Sequence, residues 1–208
     1  MYIQVYTHDC LKRNDEKIDN YIYYKKTTES SNLYFPWPTD LLPHEIDNNI
    51  ANLDKVKKNN NCVFIGSINK LNNLSIKEFC INNNINFIKL GGFDKNNIDT
   101  EENYKYISES LIAPAIQSKW QVDNGYIPCR IFKNISYGKI GITNSETVYN
   151  LFNRNIIYNN DIHNCLHLGL EFENNSSYSK IMIPLMKYVR DNHTYINRIN
   201  IIMKYLNI

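Results

Sequence analysis

The 208-residue chain has only 7 glycines, and it lacks the features that mark several protein classes. No apolar run approaches the roughly 18 residues that a membrane span needs. The N-terminus shows no charged segment followed by an apolar one, so we expect no signal peptide. Its 5 cysteines are odd in number and form no CxxC pair, which favours free thiols in a reducing compartment. We therefore expect a cytoplasmic protein, in the host cytoplasm if its source is viral.

Charge of one sign is also scarce, because the formal net charge is only +2. No concentrated basic stripe is present, so a nucleic-acid partner is not expected. The chain is instead rich in Asn, Ile, Lys and Tyr, a bias that an A+T-rich genome would produce. We accordingly assign little functional weight to the asparagine runs.

The first third of the chain is divided by a proline-rich segment. Residues 1–10 alternate apolar and polar side chains, which predicts a strand, whereas residues 17–26 fit either a strand or a surface helix. Pro36, Pro38 and Pro43 then exclude a continuous helix or central strand. We interpret residues 1–45 as an N-terminal remnant with a connector, and residues 46–208 as the main domain.

Strand and helix patterns alternate from residue 62 onward. Leu74, Phe79 and Cys80 are expected to face the core from the first helix. This alternation favours an α/β fold with a Rossmann-like parallel sheet covered by helices on both faces. The predicted strands are residues 62–67, 85–92, 111–116, 139–145 and 155–159, and the predicted helices are residues 73–84, 99–110, 129–138, 145–153 and most of 161–208.

Two loops of such a sheet are candidates for ligand binding, because ligands bind outside the carboxyl ends of parallel strands. One contains Gly66 and Ser67, and the other, residues 117–130, leads into a helix. Helix N-termini favour phosphate, and Arg130 in the first turn can pair with a phosphate bidentately. A surface salt bridge for Arg130 is the alternative.

The segment "CRIFKNISYGKIGITNSETVYNLF" resembles the donor-binding segment of group-1 glycosyltransferases with the GT-B fold. The pieces "LYFPWPTDLLPHEI", "CVFIGS" and "HTYINRINIIMKYL" resemble, respectively, the interdomain connector, the first C-terminal strand and the last helix of CgeB-type members. Together these pieces span about residues 33 to 207. The resemblance implies a nucleotide-sugar donor, hexosyl transfer and no obligatory bound metal or other cofactor.

Site residues are implied by the same resemblance. Arg130 would contact the donor diphosphate, and Ser67 would face the phosphates from its loop. Lys133 stands where many members have a glutamate that accepts hydrogen bonds from the donor ribose, and lysine cannot accept them. The implied donor-binding residues are Ser67, Trp120, Arg130, Lys133, Thr143, Asn144 and Ser145, with Gly66, Pro128 and Gly138 in structural roles.

A complete N-terminal domain, which carries the acceptor site in GT-B enzymes, does not fit into 45 residues. His8 and Asp9 are the base-like residues of the remnant, and we assign catalysis to neither. The missing half would come from a separate chain or a second copy of this one. The alternative is a degenerate binding module that retains the fold without transfer. A Rossmann-type oxidoreductase is disfavoured, because no GxGxxG follows a predicted strand.

Three further residues share a spacing that suits a metal site. His163, His167 and Glu171 would lie on one helix face, but the HExxH order is absent and an ordinary helix face is the preferred interpretation. Of the two tryptophans, Trp37 is expected to anchor the connector, whereas Trp120 is a candidate for ligand stacking.

Overall fold

The structure, a computed structural model, describes residues 3–6, 16–18, 22–26, 31–34, 36–92 and 99–207. His8, Asp9 and Cys10 lie outside these residues. The strands are β1 (Ile3–Tyr6), β2 (Glu16–Ile18), β3 (Ile22–Lys26), β4 (Ser31–Tyr34), β5 (Asn61–Ile65), β6 (Asn86–Leu90), β7 (Ile142–Thr143) and β8 (Ile157–Tyr158). The helices are α1 (Pro43–Asn52), α2 (Lys70–Asn82), α3 (Thr100–Glu109), α4 (Lys119–Asp123), α5 (Cys129–Ser136), α6 (Glu146–Leu151), α7 (Ile162–Glu173), α8 (Tyr178–Asn192) and α9 (Tyr195–Leu206).

Local capping explains where several helices begin. The side chains of Asp99, Ser145 and Thr194 accept hydrogen bonds from backbone N–H groups in the first turns of α3, α6 and α9. Such caps satisfy donors that the helix itself leaves unpaired. Pro43 occupies the first position of α1, where its missing N–H costs nothing. The predicted helices at residues 99–110, 145–153 and 161–208 are confirmed.

The N-terminal strands form one mixed sheet in the order β1-β4-β3-β2. Strand β1 pairs with β4 in parallel, and the other two pairs are antiparallel. Residues 17–26, which fitted either a strand or a helix, thus contribute to β2 and β3. The predicted domain boundary at residue 45 stays a prediction.

The main part of the chain is mixed α/β, with two parallel pairs of strands, β5 with β6 and β7 with β8. The predicted regular strand at residues 111–116 is wrong, since only an isolated bridge joins Ile112 to Cys62. Pro114 lacks a backbone donor, and proline disrupts a central ladder. The extended segment still connects the two pairs, because Ile112 accepts from Val63 N and Ala115 donates to Ile142 O. The hydrogen-bonded order is therefore β6, β5, residues 111–115, β7 and β8.

The hydrophobic core lies between this layer and the surrounding helices. On α2, Ile76, Phe79 and Cys80 are buried. The expectation for Leu74 is wrong: its side chain is 42% exposed, because the helix turns its buried face toward position 76. No helix within the described residues is long and apolar enough to cross a membrane.

Candidate functional site

Helix α5 forms one wall of a cleft of about 640 Å³, here called the Arg130 cleft. Its buried side is made by Ile131, Phe132 and Ile135, all fully buried in the core. The opposite face follows the three- and four-residue spacing of a helix. This face presents Cys129, Arg130, Lys133, Asn134 and, just beyond the helix, Tyr137 to the cleft.

Three other segments complete the Arg130 cleft. Residues 65–67 contribute from the carboxyl end of β5, and Asn103 and Ile107 contribute from α3. The third segment holds Trp120, Gln121 and Tyr126, which follow the extended segment at residues 111–115. The cleft thus lies at the carboxyl ends of β5 and of the extended segment beside it, and ligands of open α/β sheets bind at this edge.

Arg130 is held in the cleft by a backbone carbonyl and an aromatic ring. Its Nε donates to Ile65 O at 2.7 Å, and its guanidinium carbon lies 3.9 Å from the centroid of the Phe64 ring. Burial lowers the pKa of Arg130 to about 10, so the side chain remains charged at neutral pH. Within the described part of the chain, no carboxylate lies at ion-pairing distance from this guanidinium. The alternative of a surface salt bridge is therefore not what the structure shows.

The N-terminus of α5 opens toward the same cleft. Pro128 occupies the N-cap position and makes no side-chain cap hydrogen bond. Opposite it, Gly66 has a φ of +118°, a conformation that favours glycine. A Cβ atom at Gly66 would lie 2.6 Å from Arg130 Nη2. Gly66 therefore makes room for the guanidinium.

Two amide oxygens in the cleft wall have no hydrogen-bond partner among the described residues. Asn134 is only 1% exposed, and its Nδ2 donates to Ala113 O at 2.6 Å. Its Oδ1, like that of Asn103, is buried and unpaired. Buried polar atoms are nearly always hydrogen-bonded, so these two oxygens are acceptors that the described residues leave unsatisfied.

The Lys133 side chain is engaged by a carboxylate of the connector. Its Nζ forms a salt bridge of 2.8 Å with Asp40, which also accepts a hydrogen bond of 2.7 Å from Tyr137 Oη. Burial and the neighbouring Asp40 carboxylate raise the pKa of Tyr137, so its hydroxyl remains the donor. Asp40 thereby joins the connector to α5.

Trp120 lies at the rim of the Arg130 cleft with 63% of its surface exposed. Together with Ser67 and Gln121, it also lines an adjoining groove of about 400 Å³. An exposed indole in this position is available for stacking on a ligand. Trp37, by comparison, packs edge-on against Tyr195 with ring centroids 6.4 Å apart.

The structure does not bring Thr143, Asn144 and Ser145 into the Arg130 cleft. Thr143 and Ser145 are fully buried, and Ser145 caps α6. The Asn144 side chain pairs with the backbone N–H and C=O of Gln117, at 2.8 and 3.0 Å. Gly138, with a φ of +86°, ends the turn after α5 as expected. The described contacts of the three polar residues thus stabilise neighbouring loops.

The possible metal site on α7 has another explanation. His163 and His167 both pack edge-on against Phe79, with centroid distances of 6.0 and 4.8 Å. No group of three or more His, Cys, Asp or Glu side chains in the described ranges is arranged to hold a metal ion.

Sequence reasoning missed Asn103, Asn134 and Asp40, whereas Tyr126 lies in the candidate loop at residues 117–130. Asn134 had a detectable signal, because it follows Arg130 by one helical turn on the same face. The other two depend on contacts that are distant along the chain.

Comparison with known proteins adds no relative: no family model, curated protein or solved structure matches the chain.

Proposed function

We propose that the Arg130 cleft binds the diphosphate of a nucleotide-sugar, and that the protein is a glycosyltransferase-like domain transferring a hexosyl group to an acceptor. The observation that carries this proposal is the Arg130 guanidinium, charged, facing a cleft and without a carboxylate partner in the described structure. A cation in such a position lacks internal compensation. An anionic ligand would supply it.

The arrangement of the chain supports a Rossmann-like interpretation. Five extended segments are numbered one to five along the chain: β5, β6, residues 111–115, β7 and β8. Their hydrogen-bonded order across the layer is 2-1-3-4-5. Doubly wound folds with this order bind ligands where the connections reverse, between the first and third strands. The Arg130 cleft occupies that position, bounded by residues 65–67 and by the loop after residue 115.

In the proposed reaction, Arg130 and the N-terminus of α5 stabilise the departing nucleoside diphosphate. Negative charge grows on the phosphate oxygens as the glycosidic bond breaks. A fixed guanidinium and free helical N–H groups stabilise that charge without reorganisation. The acceptor and a catalytic base would come from a separate chain or from a second copy of this one.

A second candidate, binding without transfer, is favoured by Lys133. This residue replaces an acceptor with a donor, and the donor is engaged by Asp40. In that case the cleft would hold the nucleotide as a recognition element.

The test is a thermal-shift and calorimetry panel with UDP, GDP, dTDP and their common sugars. A ligand that binds only the folded state raises the unfolding midpoint by mass action. We expect Arg130→Ala to weaken binding by about 10- to 100-fold, since hydrogen bonds to charged groups contribute about 1.5–3 kcal/mol. Lys119→Ala is the matched control, because Lys119 lies beside the cleft rim with an 89% exposed side chain.

Equal loss in both variants would indicate general charge attraction and would contradict the assignment of Arg130. Selective binding that survives Arg130→Ala unchanged would do the same. Incubating the loaded protein with candidate acceptors then separates the two functions, because transfer releases free nucleoside diphosphate and binding alone does not.

A further inference from the structure

The side-chain amide of Asn134 has only one possible orientation. One arm lies 2.6 Å from Ala113 O, and a carbonyl can only accept, so that arm must be Nδ2. The other arm is therefore Oδ1, which is buried and unpaired although the residue lines the Arg130 cleft. A residue of the cleft wall thus carries a buried, unpaired hydrogen-bond acceptor in a fixed orientation.

This acceptor lies one helical turn beyond Arg130. Four residues of α-helix rise about 6 Å, and both side chains face the same cleft. A phosphate held by Arg130 would leave the next chemical group of the ligand beside Asn134. In a nucleoside 5′-phosphate, the ribose hydroxyls stand at a comparable distance from the phosphate.

The chemistry of this deeper part of the cleft selects donors. Asn103 Oδ1 is a second unpaired acceptor, and the nearby lysine, Lys133, is neutralised by Asp40. A further phosphate or a carboxylate beside these two oxygens would be repelled by them, and Lys133 would not offset the repulsion because it is paired with Asp40. A hydroxyl would satisfy an oxygen whose burial is otherwise costly.

Building on the proposed phosphate site, we propose that Asn134 Oδ1 accepts a hydrogen bond from a ribose hydroxyl, so that the cleft selects ribonucleotides over their deoxy forms. Sites built to pair with a ligand hydroxyl discriminate strongly against analogues that lack it. Asn134 would then be a specificity-determining residue of the cleft.

The experiment compares UDP and GDP with their 2′-deoxy and 3′-deoxy forms by calorimetry. For the wild-type chain, we expect one deoxy form of the bound nucleotide to bind about tenfold more weakly. Asn134→Leu should bind the ribo and deoxy forms equally. Asn49→Leu, which removes a similar amide-to-carbonyl bond from Asn49 to Ser136 O outside the cleft, should retain the discrimination.

Inorganic pyrophosphate separates this inference from the proposed function. If pyrophosphate binds through Arg130 while ribo and deoxy nucleotides bind the wild-type chain equally, the inference fails and the phosphate site stands. If methylating the base N–H (N3 of uracil in UDP, N1 of guanine in GDP) weakens binding and neither deoxy substitution does, the donor is a base N–H and the inference is likewise overturned. If neither pyrophosphate nor any nucleotide binds, both proposals fail. The comparison of ribo and deoxy nucleotides is made on the wild-type chain, so it remains decisive even if Asn134→Leu does not fold.

Discussion

Two cations near opposite ends of α5, the buried Lys139 just after its last turn and the half-buried Arg130 in its first, have opposite surroundings. Lys139 is 1% exposed, and its Nζ lies 3.3 Å from Glu173 Oε2, which Lys58 also contacts. Arg130 contacts a backbone carbonyl and the face of Phe64 instead. The first cation has its counter-ion within the fold, whereas the second has none in the described structure. A buried charge that the fold already compensates contributes to the structure, and an uncompensated one is available to a ligand.

The largest effect is expected from removing the Glu173 carboxylate, which tests whether Lys139 is compensated within the fold. Glu173→Gln leaves Lys139 and Lys58 without their common partner, so we expect the free energy of unfolding to fall by about 3–5 kcal/mol. Denaturant unfolding measures this loss. Glu171→Gln, an exposed change on the same helix, should stay within about 0.5 kcal/mol. Equal effects of the two changes would show that the cluster around Glu173 is not a structural ion pair.

The titration of Lys139 sharpens the comparison further. Burial lowers the pKa of Lys139 from 10.5 to about 8, against the opposing effect of Glu173. Between these values the unfolded chain holds a proton that the folded chain has released, so stability rises with pH across this window. The gain is at most about 3 kcal/mol. The difference between the pH dependence of unfolding for the wild-type chain and for Lys139→Met isolates this gain. The tyrosines that titrate in the same pH range are present in both chains, so their contributions cancel. A parallel pair of curves would contradict the lowered pKa.

The smallest expected effect concerns Arg130 itself. Arg130→Met keeps an unbranched side chain over Phe64 and removes the uncompensated charge, so unfolding free energy should change by less than about 1 kcal/mol in either direction. Denaturant unfolding is again the measurement. A loss comparable to that of Glu173→Gln would assign Arg130 a structural role and would remove the contrast between the two cations.

Local features of the fold were predictable from the sequence. The caps at Asp99 and Ser145 depend on side chains that lie within a few residues of the backbone N–H groups that donate to them, and the buried run at β5 is continuous in the sequence. Arg130 and Gly66 were likewise recognised from their places after a strand or at a helix start.

Contacts between distant residues were not predictable. Lys133 and Asp40 are separated by 93 positions, and no local pattern specifies that pair. The short strand β7 and the bridge at Ile112 depend on neighbouring segments in the same way. Asn134 was missed because its unpaired oxygen becomes evident only once Ala113 O is known to be the partner of its Nδ2.

Gly66 gives the cleft an unusual mutational sensitivity. Because a Cβ atom at this position would overlap the Arg130 guanidinium, even alanine would require the cation to move. The clash falls on Nη2, whereas Nε, which donates to Ile65 O, would lie at an ordinary 3.8 Å from the added atom. A single methyl group, on a loop that contributes little to the core, therefore separates a chain with a positioned cation from one without. A lineage could lose ligand binding in one step while keeping its fold.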